Sequence, residues 1–290
     1  MNNKIPQKIH QIWFDLKNTP NVPKFYESNI NSLKDKNKDW EYKLWSLKDA
    51  LELIEKDYPA YLEPFNNFKY PISKCDFFRY ILMHKYGGFY IDLDFYCDKS
   101  LDIFLESVNY KAVDSVNECK GNVSVILSEE WPNSSRENMI GSTKTLHNGI
   151  LVSKPNHVFW IILMDTCLHK SKSIDGDYTT VFDISGTRLL YNVSKKYLNV
   201  FDDILIVQNY YFCPIGMTKN KDNSNNDFII GYPNQNFTLE KIINKDSEWW
   251  MIPSNYYYEK SEFMKTILPW SFLILMSTDL DIKRWQDNEY

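Results

Sequence analysis

Glycine and cysteine are both scarce in this sequence. Only 9 of the 290 residues are glycine and 5 are cysteine. The cysteines are odd in number and scattered, without a Cys-x-x-Cys pair or a neighbouring histidine pair. This pattern excludes a disulfide framework and provides no zinc site, and it is typical of free thiols in a reducing compartment.

An excess of basic residues is also missing. The chain has 33 Lys and Arg against 38 Asp and Glu, which gives a formal charge of −5. Such a chain offers no basic field to a phosphate backbone, so nucleic acid is excluded as a partner.

Long hydrophobic runs are absent. The chain enters a strand pattern within its first residues, without the apolar stretch of a signal peptide, which predicts a cytoplasmic location. The longest apolar run, residues 267–276, is half of the roughly 20 residues that a bilayer span needs. We expect this run to be core or an interfacial patch, and the second case would give a peripheral contact with a membrane.

What remains describes an ordinary globular protein that is rich in aromatic rings. Hydrophobic residues make up 43% and aromatic residues 16% of the chain. The length suits one α/β domain with insertions, and its core is large enough to fold alone. Flat, partly polar rings are suited to stacking on sugars and bases.

The first hundred residues alternate between strand and helix patterns. We predict strands over 8–14, 40–45 and 89–95, and helices over 23–34, 47–56 and 73–86. Ser46 and Ser73 are the predicted N-caps of the second and third helices, and Gly87-Gly88 ends the third. This alternation predicts a Rossmann-like, mostly parallel sheet flanked by helices.

The rest of the chain has weaker patterns. Strands are predicted near 123–127, 150–153, 204–207 and 210–213, and helices near 157–170 and 186–197. The polar run 219–226 is predicted to be a mobile loop. We therefore expect a single domain over 1–290, with a core over 1–215 and a C-terminal extension over 216–290 that closes a cleft.

Asp92 and Asp94 are the residues that point most directly to chemistry. They are two positions apart, so in a strand both carboxylates would lie on one face. Their aromatic neighbours indicate a buried strand, and two buried carboxylates need a cation. Hard oxygen ligands without His or Cys favour Mg²⁺ or Mn²⁺, which would leave coordination sites for water and a diphosphate.

Other interpretations of this pattern stay open. A bare Asp-x-Asp is most often a solvated strand end or loop. A phosphohydrolase of the haloacid-dehalogenase type also places Asp-x-Asp after a strand, although Tyr96 stands where that class has Thr or Val. A sugar-binding protein or a degenerate transferase would keep the aromatic cleft without the metal chemistry. Trp13 alone is more often core than base-stacking, and His10 is expected to be a hydrogen-bonded structural histidine.

Three ordered blocks of the sequence resemble a known family. They run from Lys8 to Trp13, from Ser73 to Tyr80 and from Gly87 to Asp94. Together they resemble glycosyltransferase family 32, which includes fungal mannosyltransferases and capsule-type sugar transferases and is similar in its core to clostridial glucosylating toxins. The likeness is densest over residues 5–102 and thins beyond them.

The resemblance implies a GT-A fold and a metal-dependent, retaining transfer of a hexose from a UDP- or GDP-sugar to a glycan or glycolipid. Asp94 and Asp92 would be on the metal side, with Mn²⁺ or Mg²⁺ as cofactor. The donor would be held by Trp13 at its base, by Asp76 and Arg79 at the sugar and diphosphate, and by Tyr90, Asp92 and Asn148.

One part of the family pattern is missing. The family usually supplies a late metal or diphosphate contact from a C-terminal block with a histidine, and no histidine follows His169 here. Carboxylate, hydroxyl or amide oxygens bind hard cations too. The candidates for this late metal or diphosphate contact are Glu248, Ser254 and Asn255.

Overall fold

The structure is a computed structural model that describes residues 4–14, 21–97, 99–111, 113–130, 145–174, 176 and 180–212, and the backbone of three later strands. The strands are β1 (Lys8–Ile12), β2 (Glu41–Trp45), β3 (Gly88–Ile91), β4 (Phe95–Cys97), β5 (Val125–Ser128), β6 (Ile150–Ser153), β7 (Ile204–Val207), β8 (Ile215–Lys219), β9 (Asn226–Ile230) and β10 (Leu273–Leu275). The helices are α1 (Glu27–Lys36), α2 (Leu47–Asp57), α3 (Pro59–Asn66), α4 (Pro71–Lys85), α5 (Leu101–Asn109), α6 (Val158–Ser173), α7 (Val181–Ile184) and α8 (Thr187–Tyr197).

Six strands form the central sheet, in the order β2-β1-β3-β6-β5-β7. All pairings in it are parallel except those of β6, which is antiparallel to both β3 and β5. The carboxyl ends of β1, β2, β3, β5 and β7 therefore lie at one edge of the sheet, which we call the carboxyl edge. The amino end of β6 lies at the same edge.

Alternate residues of the strands of the central sheet enter two separate cores. On β3, Phe89 and Ile91 join the core that also contains α1 and α5, whereas Tyr90 joins the larger core. That larger core contains residues of α2, α3, α4, α6 and α8. A sheet buried on both faces is what the near-continuous apolar strands require. The predicted α/β architecture, a mostly parallel sheet flanked by helices, is confirmed.

Helix α4 begins earlier than predicted. It starts at Pro71, with Tyr70 at the N-cap and no side-chain cap hydrogen bond. Proline is favoured at the first helical position, where the N–H that it lacks would have no partner within the helix, so the helix begins two residues before Ser73. The prediction of Ser73 as N-cap is therefore wrong, and its side chain is buried within the first turn.

The end of α4 is where the sequence predicts it. Gly87 and Gly88 both have positive φ, at 63° and 81°, a conformation that favours glycine. A Cβ atom on Gly88 would lie 2.4 Å from the backbone oxygen of Lys8 on β1. The turn into β3 thus depends on glycine for both its conformation and its close packing.

Other predicted elements differ from the structure. Residues 209–211 form a 3-10 helix instead of the predicted strand over 210–213. Helices α3 and α5 were not predicted, and Ser46 is confirmed as the N-cap of α2, in a complete capping box with Asp49.

The later part of the chain is described only in its strands. β8 and β9 pair antiparallel on either side of the polar run 219–226, whose residues 220–225 lie outside the described residues. β10 pairs antiparallel with β4, so three residues of the apolar run 267–276 belong to a two-stranded sheet. Among the helices that the structure describes, none has both the length and the apolar character to cross a bilayer.

Candidate active site

Asp92 and Asp94 lie in a turn at the carboxyl edge, directly after β3. The Asp92 N–H donates to Gly149 O at 2.8 Å, and the Phe95 N–H closes the turn by donating to Asp92 O at 3.3 Å. The prediction that both aspartates belong to a strand over 89–95 is therefore wrong, because the chain turns at Asp92 before it enters β4. The turn is partly buried.

Arg79 joins two carboxylates at this edge. Its Nη1 lies 2.9 Å from Asp76 Oδ1, and its Nη2 lies 3.0 Å from Asp92 Oδ1. Nη1 also donates to the backbone oxygen of Asn148 at 3.2 Å. Arg79 is only 6% exposed and Asp76 only 3%. One guanidinium thus ties together helix α4, the turn after β3 and the turn before β6.

Asp76 has partners on both of its oxygens. The Asn148 amide donates to Oδ1 at 3.0 Å, and the Ser185 hydroxyl donates to Oδ2 at 2.8 Å. Ser185, between α7 and α8, is completely buried, and its hydroxyl oxygen also lies within hydrogen-bond distance of the Ser73 hydroxyl, at 3.1 Å. No pattern in the sequence marks Ser185 as a site residue.

Burial dominates the electrostatics of this pair. It raises the pKa of Asp76, with Asp92 adding to the effect, against the opposing influence of Arg79 and the hydrogen bonds from Ser185 and Asn148. Burial works against the charged form of Arg79, but the neighbouring carboxylates outweigh it and hold the Arg79 pKa well above its usual value. Two carboxylates thus share one guanidinium here.

Only one of the two carboxylate oxygens of Asp92, Oδ1, is hydrogen-bonded to side chains that the structure describes. Its Oδ1 accepts hydrogen bonds from Arg79 and from the Tyr90 hydroxyl. The Asp92 side chain is 27% exposed, and no described residue donates a hydrogen bond to Oδ2. A Cβ atom on Gly149 would lie 2.5 Å from this Oδ2 and 2.7 Å from Cε1 of His147. The glycine therefore gives the carboxylate its room.

Two further polar side chains hold the backbone of the turn. Gln11 on β1 donates to Asp92 O at 3.2 Å, and Asn29 on α1 donates to Leu93 O at 2.9 Å. Neither was predicted as a site residue. Gln11 lies inside the first resembling block, but nothing in a single sequence shows that its amide reaches a turn 81 positions later.

The remaining candidates lie in different surroundings. Trp13 directly follows β1 at the carboxyl edge, is partly buried, and its ring meets the Tyr26 ring edge-on at 6.3 Å.

The hypothesis that His10 is structural is confirmed, because Trp45 Nε1 donates to its Nδ1 at 3.2 Å and its Nε2 donates to Gly87 O at 3.0 Å. Glu248, Ser254 and Asn255 lie outside the described residues.

The donor chemistry of the turn suits a hard cation. Asp92 Oδ2 has no protein donor among the described residues, and carboxylate oxygens are what Mg²⁺ and Mn²⁺ prefer. Nowhere in the described part of the chain do three or more His, Cys, Asp or Glu side chains form a metal cluster. The described site therefore supplies one or two carboxylates, the number with which Mg²⁺ is often held beside substrate phosphates.

Comparison with known families places this turn in a defined region. Residues 23–112 match the family described as a glycosyltransferase sugar-binding region containing a DXD motif. Asp92-Leu93-Asp94 is the one Asp-x-Asp within those residues. Residues 23–112 of this chain are thus similar to a DXD-type glycosyltransferase region. That region runs from just before α1 to just after α5, and it includes Asp76, Arg79 and Tyr90.

Curated relatives of the glycosyltransferase region are sugar transferases by name. The chain is 28% identical over 193 residues to a mannosyl phosphorylinositol ceramide synthase of Saccharomyces cerevisiae, covering 67% of this chain and 42% of the relative. It is 38% identical over 101 residues to an inositol phosphoceramide mannosyltransferase of Schizosaccharomyces pombe, covering 35% and 27%. An uncharacterized glycosyltransferase of Acanthamoeba polyphaga mimivirus is 25% identical, covering 75% and 76%. The chain thus spans less than half the length of the fungal relatives.

Solved structures similar to this chain are also glycosyltransferase domains. The PaToxG glycosyltransferase has a TM-score of 0.46 and 14% identity, covering 67% of this chain and 70% of that one. The UDP-bound glycosyltransferase domain from the YGT toxin has a TM-score of 0.46 and 10% identity, covering 71% and 80%.

Proposed function

We propose that this chain is a metal-dependent glycosyltransferase that moves a hexose from a nucleotide sugar to a glycan or glycolipid acceptor. The observation that carries the proposal is that Arg79 joins buried Asp76 to Asp92, the first aspartate of the DXD turn, at the carboxyl edge of the sheet. Open α/β sheets bind their ligands outside the carboxyl ends of the strands. The match over residues 23–112 supports the same conclusion.

The proposed roles follow from where each side chain lies. Asp94, with Asp92 Oδ2, would hold Mn²⁺ or Mg²⁺, and the bound ion would stabilise the negative charge that develops on the leaving diphosphate. Asp76, Arg79 and Asn148 form a fixed polar group that we assign to the donor sugar.

Two aromatic side chains complete the proposed donor site. Trp13 at the end of β1 would stack on the base, which a π-face permits for uracil and guanine alike. The Tyr90 hydroxyl donates a hydrogen bond to Asp92 Oδ1, and the Arg79 guanidinium lies over the Tyr90 ring, 5.1 Å from its centre. We assign it to orienting Asp92 beside the donor. Uridine and guanosine donors both remain in the proposal.

The relatives suggest a narrower proposal for the sugar and the acceptor. The names of the fungal relatives contain mannose and inositol phosphoceramide. We propose mannose as the transferred hexose and a lipid-linked inositol phosphate as one acceptor to test. Free oligosaccharides are the matched soluble acceptors.

We also propose that the transfer retains the anomeric configuration. An inverting transferase needs a general base on the face opposite the leaving group. The carboxylates of the site are engaged otherwise, since Asp76 and Asp92 both pair with Arg79. Proton NMR of the product decides this point, because a β-linked product from an α-linked donor contradicts retention.

Donor binding and hydrolysis test the main proposal. A thermal-shift screen of UDP- and GDP-sugars with Mn²⁺ should find a stabilising donor, since a ligand at 100 times its Kd adds about 2.7 kcal/mol. The same donor should be slowly hydrolysed. EDTA should stop the reaction, and Mn²⁺ or Mg²⁺ should restore it while Zn²⁺ does so poorly, for want of nitrogen or sulfur ligands.

Variants of the turn separate this proposal from its alternatives. Asp92→Ala and Asp94→Ala should abolish hydrolysis with an intact fold, whereas Asp165→Asn, which alters a surface carboxylate on α6, should not. A sugar-binding protein would bind the donor without hydrolysis, and a phosphohydrolase would release inorganic phosphate. Full activity in EDTA, or wild-type rates in both turn variants, contradicts the metal assignment.

A further inference from the structure

The two peptide groups that join Asp92 to Asp94 are both held by buried amide side chains. The carbonyl of Asp92 belongs to the first peptide and accepts from Gln11 at 3.2 Å. The carbonyl of Leu93 belongs to the second and accepts from Asn29 at 2.9 Å. Because each peptide is planar, fixing its carbonyl fixes the plane. The two Cα–Cβ bonds that carry the carboxylates are thereby set relative to each other.

The Gln11 amide is itself fixed at both ends. Its Nε2 donates to the turn, and its Oε1 accepts from the Tyr42 hydroxyl at 2.8 Å. Gln11 is completely buried on the face of β1 that it shares with Ile9, which is part of the smaller core. A primary amide in such a place is unfavourable unless its hydrogen bonds are made. Its hydrogen bond to the turn is therefore the feature that explains its presence there.

Helix α1 holds the chain from the turn onward at regular intervals. Two side chains of α1 and that of Asn37, which follows the helix, bond backbone groups four residues apart. Asn29 donates to Leu93 O, Ser32 accepts from Cys97 N at 2.8 Å, and Asn37 accepts from Leu101 N at 2.8 Å. Asn29, Ser32 and Asn37 are 2%, 6% and 4% exposed. The helix is thus a fixed template for residues 93–101.

We propose that Gln11 and Asn29 are positioning residues of the DXD turn, which hold its two peptide planes so that Asp92 and Asp94 present their carboxylates in one fixed arrangement. What the turn binds rests on the proposed function, namely a divalent cation with a donor diphosphate. The positioning itself rests on the contacts of the two amides. Asn37 belongs to the same template but acts eight residues downstream, at the start of α5.

The matched variants are Gln11→Met, Asn29→Leu and, as a control, Asn37→Leu. Each replaces a buried amide by an apolar side chain of similar size and removes its hydrogen bonds to the backbone, one each in Gln11→Met and Asn29→Leu and two in Asn37→Leu. We expect similar falls in Tm for Asn29→Leu and Asn37→Leu. Tyr42→Phe removes only the hydroxyl that orients Gln11, and it should have the same effect on the turn in a weaker form.

Hydrogen exchange measures the turn directly, without donor or metal. In Gln11→Met and Asn29→Leu, exchange in a peptide over residues 92–96 should rise by about tenfold, because the Phe95 amide loses its fixed acceptor. In Asn37→Leu the rise should appear over residues 99–103 instead. Wild-type exchange over residues 92–96 in both turn variants overturns the proposal.

Mn²⁺ binding then links the turn to the site. Electron paramagnetic resonance of free Mn²⁺ in the presence of UDP or GDP should give a Kd raised about tenfold in Gln11→Met and Asn29→Leu, as for other groups that orient metal ligands. An equal rise in Asn37→Leu would overturn the proposal. If the wild-type protein binds no Mn²⁺ but the exchange results hold, the positioning of the turn is supported and the proposed metal-dependent function is contradicted.

Discussion

Arg79 is the residue on which the charge balance of the site depends. It is 6% exposed and is the cation that meets both Asp76 and Asp92. Arg79→Met would leave Asp76 buried without a counter-ion, which costs about 3–5 kcal/mol of unfolding free energy. The double variant Asp76→Asn/Arg79→Met removes the stranded charge and should recover a large part of that loss. Urea unfolding at pH 7 compares the two, and a double variant no more stable than Arg79→Met contradicts this account.

Gly149 controls the space beside Asp92. A Cβ atom there would lie 2.5 Å from Asp92 Oδ2 and 2.7 Å from the His147 ring. Gly149→Ala should therefore displace the carboxylate and lower donor hydrolysis on the order of 100-fold, the cost of a misplacement near 1 Å. Gly121→Ala is the control, since its Cβ would meet only Asp202, at 3.1 Å, away from the site. Equal rates in the two variants would refute the displacement.

Some residues of the candidate site could be predicted from the sequence, and others could not. The aspartates at 92 and 94 are two positions apart, and Asp76 and Arg79 are one helical turn apart, so short spacing and family likeness were enough to select them. Ser185, Gln11 and Asn29 are separated from their partners by 109, 81 and 64 positions. Only the folded chain brings such residues together, because no local periodicity encodes a contact across that distance.

Among the elements, β1, β2 and α4 are joined by one histidine. His10 donates from Nε2 to Gly87 after α4, and its Nδ1 accepts from Trp45 on β2, a bond that requires the neutral ring. Burial lowers its pKa from 6.5 to about 4. A lowered histidine pKa contributes stability that is complete above pH 6.5 and is lost as the pH falls toward 4.

The pH dependence of stability tests this junction. Protonation of His10 should account for roughly 3 kcal/mol of unfolding free energy between pH 6.5 and 4. His10→Gln keeps a donor and an acceptor without a titrating ring, so its stability should fall less over that interval. Urea unfolding at pH 7, 5.5 and 4.5 measures both proteins. Parallel curves would mean that His10 does not titrate in the folded protein.

Elements were predicted best where one local rule acts alone. Ser46 caps α2 because a serine precedes the apolar pattern and Asp49 completes the capping box. At α4 two rules compete, because Pro71 and Ser73 both favour a helix start. The helix begins at Pro71, the first helical position, and not after Ser73. The short helices α3 and α5 have few turns in which a pattern can repeat, and the sequence did not mark them.

On the scale of the whole molecule, β10 joins the later part of the chain to the site. Leu273 pairs with Cys97 and Leu275 with Phe95, directly after the DXD turn. Adjacent strand residues alternate in the direction of their N–H groups, so one of Leu273→Pro and Ile274→Pro removes a bond to β4. That variant should show faster hydrogen exchange in β4 and weaker donor hydrolysis. Unchanged exchange in both variants argues against the pairing.

The same scale shows why the sheet was predicted but not its order. Repeating strand and helix patterns indicated parallel strands, yet β6 runs antiparallel between β3 and β5. A short apolar strand such as Ile150–Ser153 carries no signal of its direction, which depends on how the connecting segments cross the sheet. The pairing of β10 with β4 is equally long in range and had no signal in the sequence.

The pairing of β4 with β10 also has a consequence for folding during synthesis, because the two strands leave the ribosome at different times. Leu273 follows its partner Cys97 by 176 positions, so at a synthesis rate of 5–20 residues per second the partner of β4 emerges roughly 10–35 s later. All six strands of the central sheet precede it in the chain. The framework is therefore assembled first, and the strand beside the aspartates is secured only afterwards. A chain released before residue 273 would have the central sheet but would lack the strand that pairs with β4 beside the candidate site.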